Sequence, residues 1–308
     1  MTAFIIRRVL WTIPVLLLVI FLTFVMMKQI GGNPFRRTER AVPVAIQQNL
    51  ERKFNLDEPW YVQYALYVKG VFTFDLGPSL VSRDRTVNDI IKEHAPKSLE
   101  LGLYAMLWAV VLGVPAGVFA ALRHNSVFDY GLMFLSNVGF AVPSFLVATL
   151  LIYYVALKWG LVPTNGWTTW ESKILPSFAL GLLPMAYFAR LVRGSMLETL
   201  QQDYVRTARA KGLRSRRIIF RHVLRNSLIP AITAIAPLLG FIITGSFVIE
   251  LIFSIPGIGR YFVTAVSSRD YSVVMGVTVL TSVVIVLANM VVDILYGILD
   301  PRTREART

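Results

Sequence analysis

Six long runs without a charged side chain divide this chain: residues 9–27, 101–122, 130–157, 174–189, 226–249 and 271–292. A helix needs about 20 mostly apolar residues to cross the roughly 30 Å hydrocarbon core of a bilayer. All but the fourth run reach or approach that length. The fourth is extended by Leu191 and Val192 past Arg190, whose long stem can snorkel to the interface. The run 130–157 is long for one span, so it is expected to tilt or to include flanking turns. Buried helices of soluble proteins are shorter and keep a polar face. The pattern therefore predicts an all-α integral membrane protein of six transmembrane helices.

The polar segments between the runs carry their own periodicities. The largest, 29–97, forms an extracytoplasmic loop domain in this reading. Within it 44–54 has apolar residues at helical spacing, and Asn55 to Pro59 reads as a turn. An aromatic helix with Trp60, Tyr61, Tyr64 and Tyr67 follows, then a turn at Asp75-Leu76-Gly77-Pro78, then a helix start at Thr86. Such a segment serves as a cap on the outer mouth, as a docking surface for a soluble partner, or as both. The domain division expected is 1–28 for the tail and first span, 29–97 for the outer loop domain, and 98–308 for the five-helix core.

The polar stretch 193–227, in the middle of the core, is too long for a connector. Leu197, Leu200, Tyr204, Val205 and Ala208 recur at spacings of three and four, which predicts one apolar helix face. Lys211 and Gly212 supply a cation and a left-handed stop, with Leu213 as the accompanying apolar contact. Ser215 is the expected N-cap of a second helix, on which Arg217, Arg221 and Arg225 form a basic stripe suited to phosphate headgroups. The first helix is too short to span. It either lies flat on the bilayer or inserts into a groove on a partner protein.

Charge sets the expected orientation. Six spans put both termini on one side. The segments 1–8, 123–129, 190–225 and 300–308 carry sixteen Lys and Arg, whereas the opposite loops 158–173 and 250–270 carry four. The positive-inside bias places the basic side, with both termini, in the cytoplasm. The net charge of +13 follows from this bias and from attraction to anionic lipid, so it calls for no nucleic acid. A hydrophobic share of 55% and a mean hydropathy of +0.60 agree with a membrane protein. Arg7-Arg8 before the first apolar run resembles a secretory signal, but the run is long and no small-x-small site follows closely. It is read as the first span.

The chain has no cysteine, and its three histidines are scattered, so no thiolate or histidine metal cluster is expected. No G-x-x-x-x-G-K-[ST] phosphate loop occurs. Gly257-Ile258-Gly259 is read as part of a turn in a short outer hairpin or re-entrant segment. No nucleophile–base pair is visible either, so no catalytic residue is assigned. Among polar groups within spans, Asn137, Ser144, Thr244 and Glu250 are pathway candidates, with helix packing as their alternative role. Arg190, Glu250 and Asp293 are charges near span ends, where snorkelling or helix-end pairing is enough to account for them, with direct substrate contact as the alternative.

The stretch Asp203-Tyr204-Val205-Arg206-Thr207-Ala208-Arg209-Ala210-Lys211-Gly212-Leu213, followed by 221–230, closely resembles the conserved loop of ABC-importer permeases. The likeness is to the B-type permeases of the dipeptide/oligopeptide/nickel branch and runs along essentially the whole chain. Residues 4–8, 61–64, 75–80, 143–145, 253–260 and 293–302 also match. Arg206-Thr207-Ala208 stand where the broader family has Glu-Ala-Ala, and Leu224-Arg225 where it has Leu-Pro, a departure that matches the peptide branch.

This resemblance implies a type I ABC importer permease fold in a bacterial cytoplasmic membrane. It also implies that Asp203, Tyr204, Arg206, Thr207, Ala208, Lys211, Gly212 and Leu213 belong to a coupling helix seated in a groove on an ATPase partner. The implied complex holds a second related permease, two ATP-binding subunits that carry ATP and Mg, and an extracytoplasmic solute-binding protein. Dipeptides, longer peptides, nickel chelates and haem all remain open as cargo. An ion-coupled transporter working alone is the alternative from another class.

Overall fold

The computed structural model describes residues 2–30, 55, 57–82, 84–245 and 247–299. The expected helix over 44–54, the residues 300–302 and the side chains of Thr244 and Asp293 lie outside what is described. Among the described residues the chain is helical throughout, with a single isolated bridge between Pro78 and Thr86. The helices are α1 (Thr2–Ile30), α2 (Trp60–Phe72), α3 (Val87–Trp108), α4 (Val114–Leu122), α5 (Val127–Ala141) and α6 (Ser144–Leu151). Then come α7 (Glu171–Leu200), α8 (Asp203–Ala210), α9 (Ser215–Arg217), α10 (Leu224–Ser227), α11 (Ile229–Gly245), α12 (Phe247–Ile252), α13 (Ile258–Ser268) and α14 (Tyr271–Leu299). Wider π-helical turns at Ala109–Gly113, Ile152–Lys158 and Ile218–Val223 interrupt this series.

Among the described residues four helices are long and apolar enough to cross a membrane, and two bent pairs bring the number to as many as six. The long run 130–157 is not a single tilted helix. It breaks between α5 and α6 and bends by 104°. The cause is Pro143, which disfavours helical backbone at the residue before it. Val142 accordingly sits at φ −82°, ψ 124°. Ser144, a pathway candidate, opens α6 at this break and is half-buried.

Two compact units emerge. One draws on residues up to Ser98 together with Pro256–Val286, the other on Leu99–Ile255 and the chain from Leu287 onward. In the first, Val87, Ile90, Ile258, Ala265, Val273, Val274 and Val277 form a buried core. The expected turn is present: Gly77 has φ +79°, and its N–H donates to Asp75 Oδ1 at 3.1 Å. Thr86 caps α3, its Oγ1 accepting from the Asp89 N–H at 3.1 Å while Asp89 Oδ2 accepts from the Thr86 N–H at 3.1 Å. Buried Asp270 gathers the other polar contacts here, accepting from the Ser79 hydroxyl and from the Leu80 N–H at 3.1 Å.

In the second unit α7 is the central helix. It lies so close to α3 that a Cβ on Gly181 would sit 2.5 Å from the Ala105 carbonyl oxygen, and one on Gly113 would sit 2.5 Å from that of Met185. Small residues of this kind let membrane helices pack backbone to backbone. Gly181→Val is expected to abolish recovery of monodisperse protein in mild detergent. Gly194→Ala, on the same helix with open space around it, should behave as wild type. Equal yields from both would refute the close-packing account.

Candidate functional site

The predicted apolar stripe from Leu197 to Ala208 is divided in the structure. Leu197 and Leu200 end α7, the chain turns at Gln201–Gln202, and Tyr204, Val205 and Ala208 lie on the separate α8. Val205 is 0% exposed and Ala208 nearly so. Both belong to a core with Val192 and Met196 of α7 and Ile218 and Val223 of the π-helical turn. The apolar face is thus satisfied by this chain itself. Half-exposed Tyr204 fastens α8 sideways, its hydroxyl accepting from Asn226 Nδ2 at 2.8 Å and donating to the His222 carbonyl at 3.4 Å.

The stop at the end of α8 forms as the residues predict. Gly212 adopts φ +73°, and its N–H donates to the Arg209 carbonyl at 2.9 Å. The Leu213 N–H returns to the Ala208 carbonyl at 3.3 Å, and its side chain packs on the same core. This combination is the left-handed helix ending for which glycine is suited. Ser215 is not an N-cap: it is the first residue of α9, Arg214 occupies the cap position, and no side-chain cap bond forms. Arg217, Arg221 and Arg225 are all exposed, as is Phe220 between them at 67%.

What α8 leaves outward is polar. Asp203, Arg206, Thr207, Arg209, Ala210, Lys211 and Gly212 are exposed. Arg206 Nη1 lies 3.7 Å from Asp203 Oδ1, an exposed pair of small energetic weight. The helix therefore presents a rigid cationic ridge, seated from behind by Val205 and Ala208.

A second constellation went unread in the sequence. Asp129, 0% exposed at the start of α5, receives Arg193 of α7 in a fork: Nε to Oδ1 at 2.6 Å and Nη2 to Oδ2 at 2.8 Å. His124 Nδ1 stands 3.2 Å from Oδ2, and the Asn125 N–H donates to Oδ2 at 3.0 Å. Bidentate geometry with added backbone support is what makes a buried pair hold. It ties the loop before α5 to the helix that carries α8. Opposite charges bordering two apolar segments on the same expected side were the available signal, since charged groups near membrane depth tend to pair.

The pathway candidates are dispersed. Asn137 is exposed on α5 and accepts from Arg190 Nη1 at 3.4 Å. Glu250 on α12 is 0% exposed and does not snorkel; its carbonyl accepts from the Ile255 N–H at 2.8 Å. Among the described residues no group of three or more His, Asp or Glu side chains is arranged to hold a metal.

Comparison with known proteins closes the assignment. The family of binding-protein-dependent transport system inner membrane components matches residues 113–305, and its N-terminal companion matches residues 1–101. The dipeptide transport system permease protein DppB of Bacillus subtilis is 47% identical over 305 residues, covering 99% of this chain and 98% of that protein. The oligopeptide transport system permease protein OppB of Salmonella typhimurium is 44% identical over 306 residues, covering 99% and 100%. AppB, an oligopeptide transport system permease protein of Bacillus subtilis, is 39% identical over 313 residues, covering 98% and 99%. In fold, the chain resembles the inward-facing MetNI methionine ABC transporter, with a TM-score of 0.55 at 14% identity over 68% of this chain and 96% of that one. The chain belongs to the family of inner-membrane components of binding-protein-dependent transport systems.

Proposed function

We propose that this chain is the permease subunit of an ATP-driven importer of short peptides. The observation that carries the reading is end-to-end similarity to permeases named for dipeptide and oligopeptide transport, at 39–47% identity. The chain lacks a phosphate-binding loop, so ATP and Mg belong to partner subunits. Four to six spans are few for a wide pathway, and a second related permease completes it. Two ATPase subunits act from the cytoplasm, where both termini and α8 lie. An extracytoplasmic solute-binding protein delivers cargo to the side that carries the loop domain 29–97.

In this reading α8 is the coupling helix: Asp203, Tyr204, Arg206, Thr207, Lys211 and Gly212 make up its outward surface, while Ala208 and Leu213 seat it on the core behind. Its exposed cationic ridge meets the ATPase, because its apolar face is already engaged by Val192, Met196, Ile218 and Val223. Closure of two ATP-bound partners displaces α8 as a rigid body, and the core behind it passes the motion to α7 and α11. The test is reconstitution of this chain with its neighbouring permease, ATPases and binding protein in liposomes. ATP-dependent uptake of a labelled dipeptide is expected. Uptake by this chain alone under an ion gradient, or no peptide uptake by the full complex, would defeat the proposal.

A further inference from the structure

Arg190 is a cation within α7, and its side chain points away from the level at which Arg193 meets Asp129. Helices α5 and α7 run antiparallel: Arg193 meets Asp129 at one level, and Gly139 stands beside Leu182 and Ala186 at another. Arg190 is one turn from Arg193, so its backbone is level with about residue 132 of α5. A snorkelling side chain would reach back toward the Asp129 end. Instead the guanidinium carbon stands 4.4 Å over the Phe140 ring, and Nη1 reaches Asn137 Oδ1 at 3.4 Å. That places the charge up to one side-chain length farther into the span than its own backbone level, on the side away from Asp129.

The energetics of that position are unfavourable unless an anion or water visits it. A charge at depth in hydrocarbon is costly, and such groups face a bundle interior or an aqueous cavity. Among the described residues Arg190 makes no ion pair, and its one side-chain hydrogen bond is the long one to the Asn137 amide. Asn137 and Phe140 are themselves exposed. The guanidinium is oriented by a ring face and an amide, two groups that hold its plane without neutralising it. Its remaining N–H donors match a carboxylate, the acceptor for which a planar fork is suited.

We infer that Arg190, with Asn137 and Phe140, forms a transient binding station for the C-terminal carboxylate of a peptide in transit. The inference rests on the peptide-import reading above. The bond is ionic and reversible, so the station holds cargo in one orientation without trapping it. Arg190 is the anion-binding group; Asn137 and Phe140 are positioning residues.

The test uses the full complex, with binding protein and ATPases, in liposomes. The probes are trialanine and its C-terminal amide, with import normalised to the fraction of each held by the binding protein. Wild type is expected to import the free acid in preference to the amide. Arg190→Gln should lower import of the free acid about tenfold and leave the amide nearly unchanged. Arg190→Lys should recover part of the preference, because it restores charge without the fork. Equal loss for both peptides in Arg190→Gln, or an acid-to-amide ratio unchanged from wild type, overturns the station while leaving peptide import standing. Failure of wild type to import either peptide removes the import reading, and the station with it.

Discussion

Val205→Asp is expected to reduce ATP-driven uptake about a hundredfold while leaving the ATPase subunits able to hydrolyse ATP by themselves. Val205 is fully buried among Val192, Met196, Ile218 and Val223. A carboxylate there has no cation to pair with and no water, a cost on the order of 3 kcal/mol or more. An eight-residue helix has little stability apart from its tertiary seat. The substitution therefore unseats α8 and breaks the mechanical link between partner and spans. Ala208→Asp acts by the same route, since Ala208 also faces this core. A double substitution Arg206→Glu, Arg209→Glu tests the opposite face. It should weaken retention of the ATPase subunits during purification without disturbing the core, because both residues are exposed. The two classes must separate: unimpaired uptake with Val205→Asp would remove α8 from the transmission path.

Asp129→Asn is the second large effect. It leaves the Arg193 guanidinium, only a quarter exposed, against an amide that cannot balance its charge. Breaking one partner of a buried pair costs about 3–5 kcal/mol. The thermal midpoint of the purified complex is expected to fall by several degrees, and stimulation of ATP hydrolysis by loaded binding protein should fall with it. Arg193→Met alone should be similarly damaging, since it strands the Asp129 carboxylate. The pair Asp129→Asn, Arg193→Met is expected to be milder than the two single changes summed, because neither side keeps an unbalanced charge. Strict additivity of the two changes would show that the fork contributes nothing as a pair.

Local chemistry was legible wherever it was contiguous in the chain. The apolar runs at 9–27, 101–122 and 271–292 lie in helices α1, α3–α4 and α14. The glycine stop at 212, the turn at 75–78 and the helix start at Thr86 depend on a few neighbouring residues and formed as read. The break at Val142–Pro143 was signalled by proline but masked by the apolar run around it. The stripe from Leu197 to Ala208 kept helical spacing across a turn, so periodicity could not separate the end of α7 from α8.

Pairings between distant segments belong to another level. Asp129 and Arg193 are 64 positions apart, and only the antiparallel approach of α5 and α7 makes a fork of them. Arg190 and Arg193 share a helix and a residue type, yet one is neutralised by a carboxylate and the other reaches over a ring toward the middle of the span. Hydropathy and turn chemistry, which are properties of short stretches, were enough to establish a helical membrane protein with a structured basic loop. The inward turn of α8's apolar face, the neutralised charge at Asp129 and the charge left at Arg190 were decided by tertiary packing. Burial and charge balance depend on which helix lies alongside, and no stretch of one helix carries that information.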